Sequence, residues 1–347
     1  MSLDCCVVSL ALHSSQRRTG AVRLFVFASL RARKRGNPHR FTFNKRYHLV
    51  FPYIYRYARD YMKHAKKEAV DQPEKFVHKK SLGQNFLTSD VVPQWLTAAG
   101  GVTKNDLVLE IGPGTGALTK VLLQTGARVI ALEADSRAVV ILEGLFSEVI
   151  KTGQLKLIHG DARELSVEDL GLTHQQFKVV ANIPYYLSGF LLRTLLESPI
   201  QPSTLVFLMQ KEVVTRIART VKESILSLSV KVFGVPKYIK TVTRGHFNPP
   251  PKVDSAILQI TAISLQNFSE PSEQTLYFEL LHLGFGQKRK QLLSNLSHQY
   301  ERGVLEQLFT TLDIKLDARA ETLPLPTWLA LTKQLTHTPK LIKEYSN

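Results

Sequence analysis

From about Phe76 to Ile263 the chain alternates short apolar runs with amphipathic stretches, and no other feature restricts its fold as tightly. The runs are LVLEI (107–111), ARVIALE (127–133), LKLIHGD (155–161), KVVAN (178–182) and TLVFLM (204–209), with helix-like segments such as TGALTKVLLQTG and DSRAVVILEGLF between them. Strands alternating with helices predict a mostly parallel sheet covered on both faces. VPKYIKTVTR and SAILQI come without a long helix between them, which predicts an antiparallel edge. After Ile263 the strands stop. SEQTLYFELLHLGF, QKRKQLLSNLSHQY, GVLEQLFTTL and LPTWLALTKQL have the spacing of short amphipathic helices. The expected fold is α/β, with residues 76–263 forming the sheet domain and 264–347 a small C-terminal all-α domain. At 347 residues the chain has room for two cores.

Residues 1–75 lack this rhythm and are expected to be a basic extension, either without fixed structure or a targeting segment. Charge separates the two parts. The formal net charge is +16, and residues 1–61 hold twelve Lys or Arg against two acids, leaving thirty-three against twenty-seven elsewhere. Such basicity favours a polyanionic partner, nucleic acid before an anionic membrane. The first apolar run follows Asp4 rather than a basic residue, which argues against a secretory signal, whereas the Arg-rich, acid-poor composition resembles an organellar transit peptide. A basic arm, or sequence upstream of a start at Met62, are the alternatives. Cys5 and Cys6 are the only cysteines, so neither a disulfide framework nor a Cys/His metal cluster can be drawn, and a reducing compartment is expected. No run reaches the roughly 18 apolar residues of a membrane span.

The chemistry gathers at the ends of the expected strands. LEIGPGTGALT (109–119) follows one strand and opens a helix, with Gly112, Gly114 and Gly116 spaced G-x-G-x-G rather than G-x-G-x-x-G. Glycines there admit positive φ and let a ligand approach the backbone. Glu133 ends the next strand, where a carboxylate can accept from both hydroxyls of a ribose. Asp161 stands at the third tip, in reach of an adenine amino group, and Asn182 at the fourth.

Asn182 opens NIPYYLS, a stretch that carries more than a plain turn needs. The exocyclic amine of adenine is a poor nucleophile, because its lone pair is delocalised into the ring. An enzyme that alkylates it must hold the amine by its hydrogens and let it pyramidalise. The Asn182 side-chain oxygen and a backbone carbonyl, of Pro184 or Ile183, are suitable acceptors. Proline restricts φ and so steadies those carbonyls. Tyr185 can stack on a base drawn out of its helix or loop. This device, with the glycine spacing, excludes a nicotinamide oxidoreductase.

KKSLGQNFL (79–87), EIGPGTG, LEAD, GDA, NIPYYLS, LMQKEVVTRI (208–217) and HFNPPPKVDSAI (246–257) stand in an order that resembles the small-subunit ribosomal RNA adenine dimethyltransferases, the KsgA type. GFGQKRKQLLSNL (284–296) carries the resemblance into the helical region, so that it spans about Phe76 to Leu335. It implies a Rossmann-like class I methyltransferase sheet and S-adenosyl-L-methionine as cofactor, with no metal. The implied reaction is dimethylation of two adjacent adenosines near the 3′ end of small-subunit rRNA, tied to small-subunit biogenesis. By this resemblance Asn85, Leu87, Gly112, Gly114, Glu133, Asp161 and Asn182 hold the cofactor. Asn182, Pro184 and Tyr185 grip the base, and Phe247 is a second stacking candidate. Lys79, Lys80, Lys211, Arg216, Arg219, Lys222, Lys252, Lys288, Arg289 and Lys290 would line an RNA path through backbone contacts. A monomer acting in the cytoplasm on rRNA or an immature small subunit is expected, or in an organellar matrix if residues 1–61 are a transit peptide. Two rivals stay open: a large-subunit methylase of the macrolide-resistance type, and an RNA-binding assembly or transcription factor that has lost catalysis. Tyr186 stands where many members of the family carry Asn, and KESILSLS replaces the family's usual YG-x-LS.

Overall fold

The computed structural model describes residues 85–164, 166–336, 338 and 340. The expectations for the extension, for a start at Met62, and for Lys79 and Lys80 lie outside these residues. Among the described residues no helix is long and apolar enough to cross a membrane.

A seven-stranded sheet forms the centre. In chain order its strands are β2 (Leu107–Ile111), β3 (Arg128–Glu133), β4 (Leu155–His159), β5 (Lys178–Asn182), β6 (Thr204–Gln210), β7 (Val235–Val242) and β9 (Ser255–Thr261). β1 (Phe86–Leu87) and β8 (Phe247–Asn248) make a separate two-stranded ladder. The spatial order in the large sheet is β4-β3-β2-β5-β6-β9-β7, and the first five strands are parallel. Helices α1 (Val91–Ala99), α2 (Ala117–Gln124), α3 (Ser136–Leu145), α4 (Ser147–Lys151), α5 (Ser188–Leu196), α6 (Lys211–Ala218) and α7 (Ile225–Lys231) lie between the strands. Two-sided cover explains why Val179, Val180 and Ala181, and likewise Leu205 to Met209, are consecutive apolar residues with no exposure.

The antiparallel pairing falls at the expected end of the sheet, but the reversed strand is not the outermost. β9 lies between β6 and β7 and pairs antiparallel with both. The segment from β7 to β9 is too short for a helical crossover, so the chain must double back. Strand order reverses between β2 and β5, and a crevice at that switch point is where such sheets bind ligands.

Past β9 the chain is helical: α8 (Pro271–Gly284), α9 (Leu292–Leu296), α10 (Arg302–Thr311) and α11 (Leu325–Leu335). Their buried side chains are continuous with those of the sheet. Tyr277, Leu281, Leu296 and Trp328 belong to the same hydrophobic cluster as Leu109, Val179 and Phe207 of the sheet. The second expected helix is shorter than its pattern. Residues 286–291 form an exposed turn, pinned by buried Asn295, whose Nδ2 donates to the Gly284 carbonyl at 2.6 Å and to the Gln287 carbonyl at 3.3 Å.

Candidate active site

β2 ends at Ile111, and the chain turns through the glycine-rich segment into α2. Gly112 and Gly114 take φ values of +70° and +58°, which residues bearing a Cβ resist. A Cβ on Gly114 would stand 2.8 Å from the Phe86 ring, so this glycine lets β1 close over the turn. A Cβ on Gly112 would find the Asn182 carbonyl oxygen 3.9 Å away and would otherwise fill the cleft.

Glu133, at the end of β3, is 6% exposed. Its Oε2 accepts from the Gly114 N–H at 2.9 Å and its Oε1 from the Asp135 N–H at 2.8 Å. An ionised carboxylate offers about four acceptor positions, so both oxygens retain capacity toward the cleft. The Gly160 N–H donates to the Glu133 carbonyl at 2.8 Å, which ties the β3 tip to the turn leading to Asp161. Asp161 is engaged by Arg163: the Arg163 backbone N–H donates at 2.8 Å, its Nε reaches both carboxylate oxygens, and Nη2 adds a further bond. The cleft thus presents an Asp–Arg pair here rather than a lone acceptor.

Sequence reasoning missed Glu110. It lines the cleft, is 1% exposed, and its Oε2 has no hydrogen-bond partner among the described residues. Burial pushes its carboxyl up to about 8; Thr119 opposes the rise and the Glu133 carboxylate adds to it. An acid inside an otherwise apolar strand, LVLEI, was the available signal.

The other half of the cleft begins at Asn182. Its Nδ2 donates to the Asn85 carbonyl at 3.2 Å, which turns Oδ1 away as an acceptor. Pro184 (φ −57°, ψ 132°) leads into a 3-10 turn, and its carbonyl accepts from the Leu187 N–H at 3.0 Å, keeping a second lone pair. The Tyr185 hydroxyl lies 2.7 Å from Ser255 Oγ, and burial pushes that phenol above its ordinary value. Phe247 is 4% exposed, packs in the hydrophobic cluster around Leu87 and Leu208, and also faces the cleft. The β1–β8 ladder pairs Leu87 with Phe247 across the mouth, a contact no local pattern announced. Tyr186, 47% exposed, lies on the same rim.

All ten residues expected at the site line this one cleft, which is open to solvent. Of the basic residues expected along an RNA path, three have other partners. Arg216 pairs with Glu212 at 2.8 Å, Lys222 with Glu321 at 2.7 Å, and the Arg219 guanidinium stacks 3.6 Å from the Tyr238 ring centre. Lys211, Lys252, Lys288, Arg289 and Lys290 are exposed.

A parallel sheet with its cleft at the switch point and a reversed strand one in from the edge is the architecture of the Rossmann-like class I methyltransferases. A dimethyladenosine transferase from Plasmodium falciparum shares it, with a TM-score of 0.62 and 26% identity over 72% of this chain and 96% of that one. The 23S rRNA methyltransferase ErmE, 23% identical over 72% of this chain and 99% of its own (TM-score 0.58), shares the fold. The model of the family described as ribosomal RNA adenine dimethylase matches residues 75–337, and the chain belongs to that family. Curated relatives include "Ribosomal RNA small subunit methyltransferase A" of Dehalococcoides mccartyi (strain CBDB1), 36% identical over 264 residues, 75% of this chain and 89% of that protein. The protein of the same name from Listeria welshimeri is 32% identical over 275 residues, 75% of this chain and 91% of its own.

Proposed function

We propose that this enzyme transfers methyl groups from S-adenosyl-L-methionine to the exocyclic amines of two adjacent adenosines near the 3′ end of small-subunit rRNA, as a monomer working on RNA of the immature subunit. The observation that carries the reading is the Asn182 amide, held by the Asn85 carbonyl with its oxygen free to accept, beside a glycine cradle. The residues fit the cofactor. Gly112 leaves space that a Cβ would fill, Glu133 keeps acceptor capacity for ribose hydroxyls, and the unpaired Glu110 oxygen suits the cationic amino group of a methionine moiety. Leu87 of β1 and Asn85 just before it would close over it, with Asp161 near the adenine.

Held by Gly112, Glu110 and Glu133, the cofactor would supply an activated methyl on a sulfonium, for which the exocyclic amine is the acceptor. The protein's own part is positioning. Asn182 Oδ1 and the carbonyl of Ile183 or Pro184 accept from the amine and steer its lone pair out of the ring plane. Tyr185 offers a face to the extruded base, with Phe247 closing the other side. No strong acid or base is needed, so orientation and water exclusion supply the rate. Exposed Lys211, Lys252, Lys288, Arg289 and Lys290 would meet phosphates. The reading places the enzyme in the cytoplasm, or in an organellar matrix if residues 1–61 direct it there.

Curated relatives at 32–36% identity are named for the small subunit, which supports this substrate over the large-subunit RNA of ErmE. The test is methyl transfer from the labelled cofactor to small subunits lacking the modification, with large subunits as control and mass spectrometry of the digested RNA. Dimethyladenosine in the small-subunit RNA alone is expected. Product in large-subunit RNA would move the enzyme to the resistance branch, and no product with cofactor bound would favour a non-catalytic RNA-binding factor.

A further inference from the structure

Ser255 opens β9 and is one of few polar side chains with no exposure at all. It is paired on both sides, opposite Gln210 of β6 and Val242 of β7, so two ladders hold its backbone. Its hydroxyl lies 2.7 Å from that of Tyr185, 70 residues away in sequence. The ring of Tyr185 is tethered at its far end to one of the most constrained positions in the sheet. Its near end is held by the turn after Pro184, where Ser188 Oγ donates to the Tyr185 carbonyl at 2.9 Å. A ring fixed at both ends has one stacking plane.

We propose that Ser255 is a positioning residue that sets the plane of Tyr185, and that this hold governs the second methyl transfer to an adenosine more than the first. The inference rests on the dimethylation reading above. In the first transfer the amine has two hydrogens, one for Asn182 Oδ1 and one for a backbone carbonyl. After one methyl is added a single hydrogen remains, and half of the hydrogen-bonded grip is lost. Stacking must then carry more of the alignment. In the second transfer a new N6–CH3 bond forms as another S–CH3 bond breaks, and the last amine proton leaves to water. A ring free to tilt penalises this step selectively. Tyr185 is expected to be protonated at neutral pH, since burial raises its phenol, so a hydrogen for the tether is always present.

The test measures monomethyl- and dimethyladenosine in small-subunit RNA at matched total methyl incorporation, for wild type, Ser255→Ala, Tyr185→Phe and the double variant. Each single variant is expected to raise the mono-to-dimethyl ratio roughly two- to tenfold, the range of one neutral hydrogen bond. The double variant should go no further than either single one, because both remove the same bond. A Ser255→Ala enzyme that is slower with an unchanged ratio would overturn the proposal, as would single effects that multiply in the double variant. Should Ser255→Ala not fold, Tyr185→Phe removes the same tether from the surface of the cleft, and an unchanged ratio there would overturn it equally. A wild type that makes no dimethyladenosine would defeat the dimethylation reading itself; a normal wild type with unaltered variants would defeat only the tether.

Discussion

The two halves of the cleft are built differently. Around the glycine turn the contacts are local: Glu133 accepts from residues 19 and 2 positions away. Around Asn182 and Tyr185 they span the chain, with Asn182 meeting Asn85 across 97 residues and Tyr185 meeting Ser255 across 70. The hydrogen bonds of the first half join adjacent βα units, and those of the second form only when distant parts of the sheet domain meet. In the proposed function, local contacts would hold the cofactor and the long-range ones would shape a face for the target base.

That contrast can be broken by mutation. The largest expected effect is at Asn182→Ala, which removes the oriented acceptor. Methyl transfer should fall roughly 10²- to 10³-fold, as on removal of a preorganised hydrogen-bonding group. Cofactor affinity by calorimetry should stay within about twofold, since a pure clamp residue contributes little uniform binding. An equal loss in both would mean that the halves are not separable.

A smaller effect is expected at Glu110. Its folded-state carboxyl is raised to about 8, against an ordinary value of 4.5. Between those values the unfolded chain gives up the proton while the folded one keeps it, so folding stability falls as pH rises from 4.5 to about 8. The fall is about 4 kcal/mol at most. Glu110→Gln should flatten this dependence in denaturant melts from pH 5 to 9 without the cofactor, and should weaken cofactor binding. A melt profile unchanged by the substitution would show Glu110 to be ionised and paired.

Glu133→Ala should weaken the cofactor by about 1–3 kcal/mol, since a buried charged acceptor is lost and the Gly114 and Asp135 N–H groups lose their partner. At matched total methyl incorporation the mono-to-dimethyl ratio should not move. A shift in that ratio would join the halves that the structure separates.

Much of the cofactor half is legible in the sequence because period, strand ends and glycine spacing are all short-range. Gly112 and Glu133 follow from where an apolar run stops, as Asn182 does in the other half. Glu110 is visible as an acid within such a run, yet its meaning depends on burial and on a missing partner. Asp161 reads as a lone acceptor in the sequence, and only the folded chain shows Arg163 wrapped on it. The QKRKQ stretch fits a helical pattern, but Asn295 holds it as a turn through bonds to carbonyls that lie beside it only in the packed helices.

Sequence by itself determined the alternation of strands and helices, the reversal near the end of the sheet, and the set of polar groups delivered to its carboxyl edge. Side-chain periodicity and turn chemistry act over a few residues, so a short stretch of chain contains them. Tertiary structure alone decided that β9 lies inside β7, that the C-terminal helices share the sheet's core, and that β1 and β8 close the mouth. It also decided that buried Ser255 meets Tyr185. Those outcomes depend on which distant surfaces exclude water together, and burial of that kind is a sum over the whole fold rather than a feature of any segment.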